Sequence, residues 1–146
     1  MKKIPFTKPT HWGTEEKLVA EAIRATPLAG GGQFNKSCEK ELTKILGTSA
    51  LLTTSGSHAL ELAALLLDLK PGDEVIVPSF TFVSSANAFI LRGAVPVFVD
   101  NDCFGNIDLD DFEKMITPKT RAVCIVHYAG NSCDMEQLVA ICKAKK

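Results

Sequence analysis

Apolar residues along this chain follow two periods, and the changes between them mark its elements. Three short runs, 74–77, 95–99 and 122–126, are almost wholly apolar and rich in valine and isoleucine. Runs of four or five such residues without polar alternation predict strands covered on both faces. Leu51-Leu52, ahead of a turn, predicts a fourth and shorter strand. Between the runs, apolar positions recur at three- and four-residue spacing. They predict helices from Glu15 to the Thr26-Pro27 stop, over 34–46, over 58–69, through Phe89 and Leu91, over 109–116, and from Asp134 into the basic tail.

The helix ends carry readable chemistry. Thr14 is placed to cap the first helix, whose opening turn holds Glu15 and Glu16 where the dipole favours negative charge. Gly47 suits the left-handed residue that closes the second. Asp108 and Asp134 stand as caps further on, the latter with Gln137 three residues behind it. The helix over 58–69 is apolar on nearly every side, which predicts burial. Strands alternating with helices predict an α/β fold with a mainly parallel sheet flanked by helices. Residues 1–50, extended around Pro5 and Pro9 and then helical, form one part, and 51–146 form a domain of αβ units. That domain reads as incomplete. Three or four strands are few for so much apolar helix, and the pattern breaks off after a helix that should return to another strand.

In a parallel sheet, ligands sit beyond the carboxyl ends of the strands. That rule selects 55–58, 79–82, the segment from Asp100, and 127–130. In Thr53-Thr54-Ser55-Gly56-Ser57-His58, small hydroxyl residues and one glycine turn the chain into a helix. Backbone N–H groups and the positive end of a helix dipole make such a turn a seat for phosphate. Ser55 and Ser57 add hydroxyl donors, and Gly56 allows close approach. The same residues also suit a plain helix cap by Ser55 or Ser57. A similar choice attends Gly30-Gly31-Gly32, either a flexible connector or a loop that admits a bulky ligand or partner to the backbone.

Composition narrows the field. With 16 basic and 17 acidic residues, the chain offers no charged surface for nucleic acid or an anionic membrane. No apolar run is long enough to span a bilayer, and Met1-Lys2-Lys3-Ile4-Pro5-Phe6 lacks the core of a signal peptide. Five cysteines without a C-x-x-C pair suit a reducing compartment, so the chain reads as cytoplasmic. Cys124, His127 and Cys133 lack the usual ligand spacing for zinc. No G-x-G-x-x-G follows any strand, which disfavours a dinucleotide-binding domain.

The series 54–60, 71–82, Asn87, Arg92-Gly93-Ala94, 105–108 and His127-Tyr128-Ala129-Gly130 resembles the amino-terminal part of the DegT/DnrJ/StrS sugar aminotransferases. Within that family it is most similar to the transaminases that act on TDP-4-oxo-6-deoxyglucose. The resemblance runs from about Ile4 to the end of the chain. It implies the large domain of the pyridoxal 5'-phosphate (PLP) transferases of fold type I, usually homodimeric, with a nucleotide-sugar substrate. Carried over by position, Gly56 and His58 would hold the PLP phosphate through backbone N–H, and Ser57 through hydroxyl and N–H. Ser57 stands where the family often has threonine. Phe82 matches the aromatic that stacks on the pyridine ring. Tyr128, Gly30 and Gly31 match regions near the sugar. His127, at a strand end, suits a hydrogen-bonded structural histidine. The family's cofactor-binding lysine, and the acid that pairs with the pyridinium nitrogen, match no position here, so no catalytic residue is assigned. Lys70, Lys114, Lys143, Lys145 and Lys146 do not sit in apolar surroundings, and Asp100 and Asp108 are poor substitutes for the acid. The resemblance therefore implies an amino-terminal portion, inactive alone, or a non-catalytic chain that binds a phosphorylated ligand or complements a separate second half.

Overall fold

The computed structural model describes residues 3–5, 7–25 and 30–145, which divide into two compact units, 1–52 and 53–146. The first unit holds two amphipathic helices, α1 (Glu15–Arg24) and α2 (Gln33–Leu46). Thr14 does not cap α1 with its side chain. The Glu15 carboxylate takes that place, accepting the N–H groups of Trp12 at 2.7 Å and Gly13 at 2.9 Å. The Trp12 bond above all holds the Glu15 carboxyl below its ordinary range. The expected stop at Thr26-Pro27 lies outside the described residues. Helix α2 ends as its sequence predicts, on Gly47 at φ 68°, whose N–H bonds to the Thr43 carbonyl at 3.0 Å.

No strand forms at Leu51-Leu52. Side chains of α2 claim the backbone there instead. Glu39 Oε1 accepts the Leu52 N–H at 3.0 Å, and Thr43 Oγ1 accepts that of Ala50 at 3.2 Å. Both contacts hold the segment along α2 rather than in a ladder.

The second unit contains a parallel three-stranded sheet in the order β2-β1-β3, with β1 (Glu74–Pro78), β2 (Val95–Val99) and β3 (Thr120–Val123). Helices α3 (Gly56–Leu66), α4 (Ser84–Ile90), α5 (Leu109–Met115) and α6 (Met135–Ala144) accompany it. Strand β1 is central and buried on both sides, as its unbroken apolar run predicts. Alternation along the strand splits its side chains between two cores. Val75 and Val77 pack with Ala64, Phe89 and Ala94, on the side of α3 and α4. Ile76 packs with Phe112, Leu138 and Ile141, on the side of α5 and α6.

Three expectations shift. Strand β3 begins at Thr120, two residues early, because Glu74 pairs with Thr120 before a bulge at Arg121 brings Ala122 opposite Val75. Beyond Val123 its pairing continues only through the Cys124 N–H, which bonds to Ile76 O at 2.8 Å. Helix α3 begins two residues early because Ser55 caps it, and it stops before Asp68, which adopts a left-handed φ of 50°. That helix is also not buried all round. Ala64 is covered, while Leu62, Leu65 and Leu66 are exposed. A glycine is required after α4: Gly93 has φ +79°, and a Cβ there would lie 3.1 Å from Pro71.

Candidate functional site

Helix α3 leads through a short turn into β1, and α4 leaves the opposite end of that strand. Both helices therefore start at the carboxyl edge of the sheet, where a parallel sheet places its ligands. They pack against one another on the same face.

At the start of α3, Ser55 is extended (φ −162°, ψ 162°) and its Oγ accepts the His58 N–H at 3.1 Å. The cap reading of Ser55 thus holds. It also changes the expected donor set, since the His58 N–H is occupied by Ser55. The His58 ring is bonded to the Thr54 hydroxyl through Nδ1, and Thr53 Oγ1 donates to the Ser55 carbonyl at 2.8 Å. Left without a protein acceptor among the described residues are the N–H groups of Gly56 and Ser57. The Ser57 hydroxyl is unpartnered there as well. Nothing lies within 4 Å of a Cβ built on Gly56, whose φ is not left-handed. Neither the turn nor its neighbours demand glycine at 56. Gly56 is exposed, and N–H groups without a partner among the described residues at a helix start are what an anion requires.

Phe82 lies between β1 and α4 and is 72% exposed. Just before it, Ser79 Oγ and the Phe80 N–H both donate to Asn101 Oδ1, at 3.0 and 2.8 Å. Tyr128 begins a single turn of 3-10 helix, Tyr128–Gly130, after β3. Its ring packs on Phe80 with centroids 4.8 Å apart and planes tilted by 43°. The buried Asn106 accepts the Tyr128 N–H at 3.1 Å. Gly105 (φ +84°) is needed here, since a Cβ would stand 3.0 Å from the Tyr128 ring. His127 is a bonded structural residue as expected: its Nδ1 accepts the Cys133 N–H at 3.1 Å. Gly30 and Gly31 belong to the first unit, with nothing within 4 Å of a Cβ built on either. Leu28 and Ala29 of that loop lie outside the described residues.

Four other ionisable groups singled out in the sequence are engaged elsewhere. Asp108 caps α5 by accepting the Asp111 N–H at 2.9 Å. Asp134 caps α6 by accepting that of Gln137 at 3.0 Å. Lys70 pairs with Asp68 at 2.6 Å, and Lys145 with Glu113 at 3.2 Å. The Lys70 pairing holds the Asp68 carboxyl low. All five cysteines are free thiols, and burial pushes those of Cys124 and Cys133 up. Sequence reasoning missed Asn101 and Asn106. Their partners lie about twenty residues away, beyond any periodic or capping signal.

Residues 10–146 match the model of the DegT/DnrJ/EryC1/StrS aminotransferase family. The chain belongs to that family. Among its relatives, GDP-perosamine synthase of Escherichia coli O157:H7 is 38% identical over 99% of this chain and 40% of its own length. The dTDP-4-dehydro-2,3,6-trideoxy-D-glucose 4-aminotransferase of Saccharopolyspora spinosa is 38% identical over 91% of this chain and 36% of its own length. A candidate sugar aminotransferase of Streptococcus pneumoniae, solved in its PLP form, superposes with a TM-score of 0.88 at 33% identity, covering 96% of this chain and 36% of the other. The chain thus spans 40% or less of the length of these relatives. The α/β fold with its parallel sheet is shared with these aminotransferases, whose cofactor is PLP, and one relative is named as a dTDP-sugar 4-aminotransferase.

Proposed function

We propose that this chain provides the cofactor phosphate seat and the ring-stacking aromatic of a PLP-dependent nucleotide-sugar aminotransferase. One observation carries the reading. At the carboxyl edge of the sheet, the start of α3 carries two N–H groups unpartnered among the described residues, and the start of α4 carries an exposed aromatic. The N–H groups of Gly56 and Ser57 and the Ser57 hydroxyl would hold the phosphate, helped by the dipole of α3. His58 contributes by fixing the turn, through Ser55 and Thr54. Phe82 would hold the pyridine ring by offset stacking. Bound PLP supplies the electron sink for moving an amino group between carbon centres. The residues of this chain bind, orient and shield it. The lysine and the acid that the family uses are assigned to polypeptide outside these 146 residues, and the chain alone is inactive.

The complete protein would move an amino group from glutamate to C4 of a TDP-4-keto-6-deoxyhexose destined for a surface polysaccharide. Tyr128, Gly30 and Gly31 would lie toward the sugar. The relative named for a dTDP-sugar supports the thymidine nucleotide, and the one named for GDP-perosamine makes a GDP-sugar the competitor to test. Co-expression with a polypeptide that carries the family's cofactor-binding lysine tests this. Amino transfer from glutamate should appear with the pair, and with neither polypeptide alone. Turnover by the isolated chain, or none by the pair on either nucleotide, would contradict it. The bare leucines of α3 favour one further reading, a surface that receives that second half or a second copy of the chain. A change in hydrodynamic size on mixing would register either.

A further inference from the structure

We infer that Asn101 and Asn106, in the loop after β2, are positioning residues that set the two aromatics of the proposed site, Phe82 on the cofactor side and Tyr128 on the sugar side. This rests on the reading of Phe82 and Tyr128 above and adds to it what holds them in place. The loop from Asp100 to Asp108 is a stiff block. Asp102 Oδ1 accepts the N–H groups of Phe104 and Asn106, each at 2.9 Å. Asp102 N–H bonds to Asn106 O at 2.8 Å, and Asp108 N–H to Asp100 O at 2.9 Å. Asn101 Nδ2 donates to Gly105 O at 2.8 Å, and Asn101 and Ile107 form an antiparallel bridge.

From this block the two side-chain oxygens reach outward. Asn101 Oδ1 takes Ser79 Oγ and the Phe80 N–H, fixing the segment that enters Phe82. Asn106 Oδ1 takes the Tyr128 N–H, fixing the loop after β3. Since β1 lies between β2 and β3, the second contact spans two strand spacings, about 10 Å. The Phe80–Tyr128 ring pair then closes the circuit between the flanking loops. Ala129 adds a second sign of external constraint. It holds a left-handed φ of 51°, which a residue with a Cβ keeps only where its surroundings impose it. Asparagines that merely tied their own loop would spend their oxygens within it. These spend them on the two loops that carry the aromatics.

Amide hydrogen exchange and NMR of the 146-residue chain test the assignment. Asn101→Ala should speed exchange of the Phe80 amide at least tenfold and leave that of Tyr128 slow. Asn106→Ala should do the reverse, and should move the ring signals of Tyr128, the sole tyrosine, toward free values. Amides of Ile76 and Val77 report whether the sheet stays intact. Asn101→Asp keeps the acceptor oxygen and should restore Phe80 protection. Titration with PLP gives the functional arm. In the unaltered chain the amides of Gly56 and Ser57 and the ring of Phe82 should all shift. In Asn101→Ala the amides should still shift and the Phe82 response should be lost. Unchanged exchange, loss of protection spread evenly through Ile76 and Val77, or an intact Phe82 response would each overturn the inference. Should PLP leave Gly56 and Ser57 unmoved in the unaltered chain, the cofactor reading fails, while the exchange data still judge the asparagines.

Discussion

Against one face of the sheet, α5 and α6 bury Phe112, Leu138 and Ile141 over Ile76. Against the other, α3 and α4 bury Ala64 and Phe89 over Val75 and Val77 but leave Leu65, Leu66, Leu91 and Phe82 exposed. Helix α5 carries four charged residues in seven, whereas α3 carries one in eleven, so α3 has more apolar surface than one face of the sheet can cover. The first pair spends its few apolar residues on the sheet: Phe112 from α5 and Leu138 and Ile141 from α6 all pack over Ile76. The second pair covers the sheet and still keeps apolar surface to spare, and it carries the unpartnered donors at its leading end. One strand thus separates a covered core from a face whose helices keep apolar surface bare and begin at the proposed site.

The sharpest way to break this contrast is to truncate one residue on each side. Phe112 is 1% exposed, and Phe112→Ala should cost about 3–5 kcal/mol in denaturant unfolding. Leu66 is 76% exposed, and Leu66→Ala should change stability by no more than about 0.5 kcal/mol. Equal costs would mean that α3 is covered in solution. Next in size is Ser57→Ala. It removes a hydroxyl that would meet a charged phosphate, a bond of about 1.5–3 kcal/mol, so PLP affinity should fall roughly ten- to a hundredfold with an unchanged melt. A parallel loss of stability would turn Ser57 into a structural residue.

Smaller effects separate caps that form from one that does not. Asp108→Ala and Asp134→Ala should each cost about 1 kcal/mol, because each carboxylate accepts an N–H at the start of its helix. Thr14→Ala should cost a few tenths at most on the same scale, since its side chain makes no cap bond. The thiols give the mildest test. Cys38 and Cys103 are exposed and should alkylate quickly, and Cys124 and Cys133 slowly. Burial raises the last two, so the folded chain keeps protons that the unfolded chain releases. Their contribution to stability is complete below the ordinary thiol pKa of roughly 8.5 and declines as pH rises past it. Melting followed from neutral to alkaline pH should show the decline, and Cys124→Ala should flatten it.

What the sequence made legible is what acts over three or four residues. Ser55, Asp108 and Asp134 are caps in both readings because each partner lies three positions on. The three main strands appear because their runs are apolar on both faces. The errors arise where a distant group intervenes. Glu39 claims the Leu52 backbone from thirteen residues away and prevents a strand there. Glu15 displaces Thr14 by reaching back to Trp12 and Gly13. The leucines of α3 could be read as apolar, but not as bare. At the proposed site, the motif pointed to Gly56, Ser57, His58 and Phe82, whereas the contacts of Asn101 and Asn106 needed three loops to be brought together.

A structure of the chain with PLP bound tests the central claim most directly. The account predicts phosphate oxygens within hydrogen-bond distance of the N–H groups of Gly56 and Ser57 and of Ser57 Oγ, with the pyridine ring against Phe82. A phosphate seated elsewhere, with the start of α3 empty and Phe82 turned away from the ring, would contradict it.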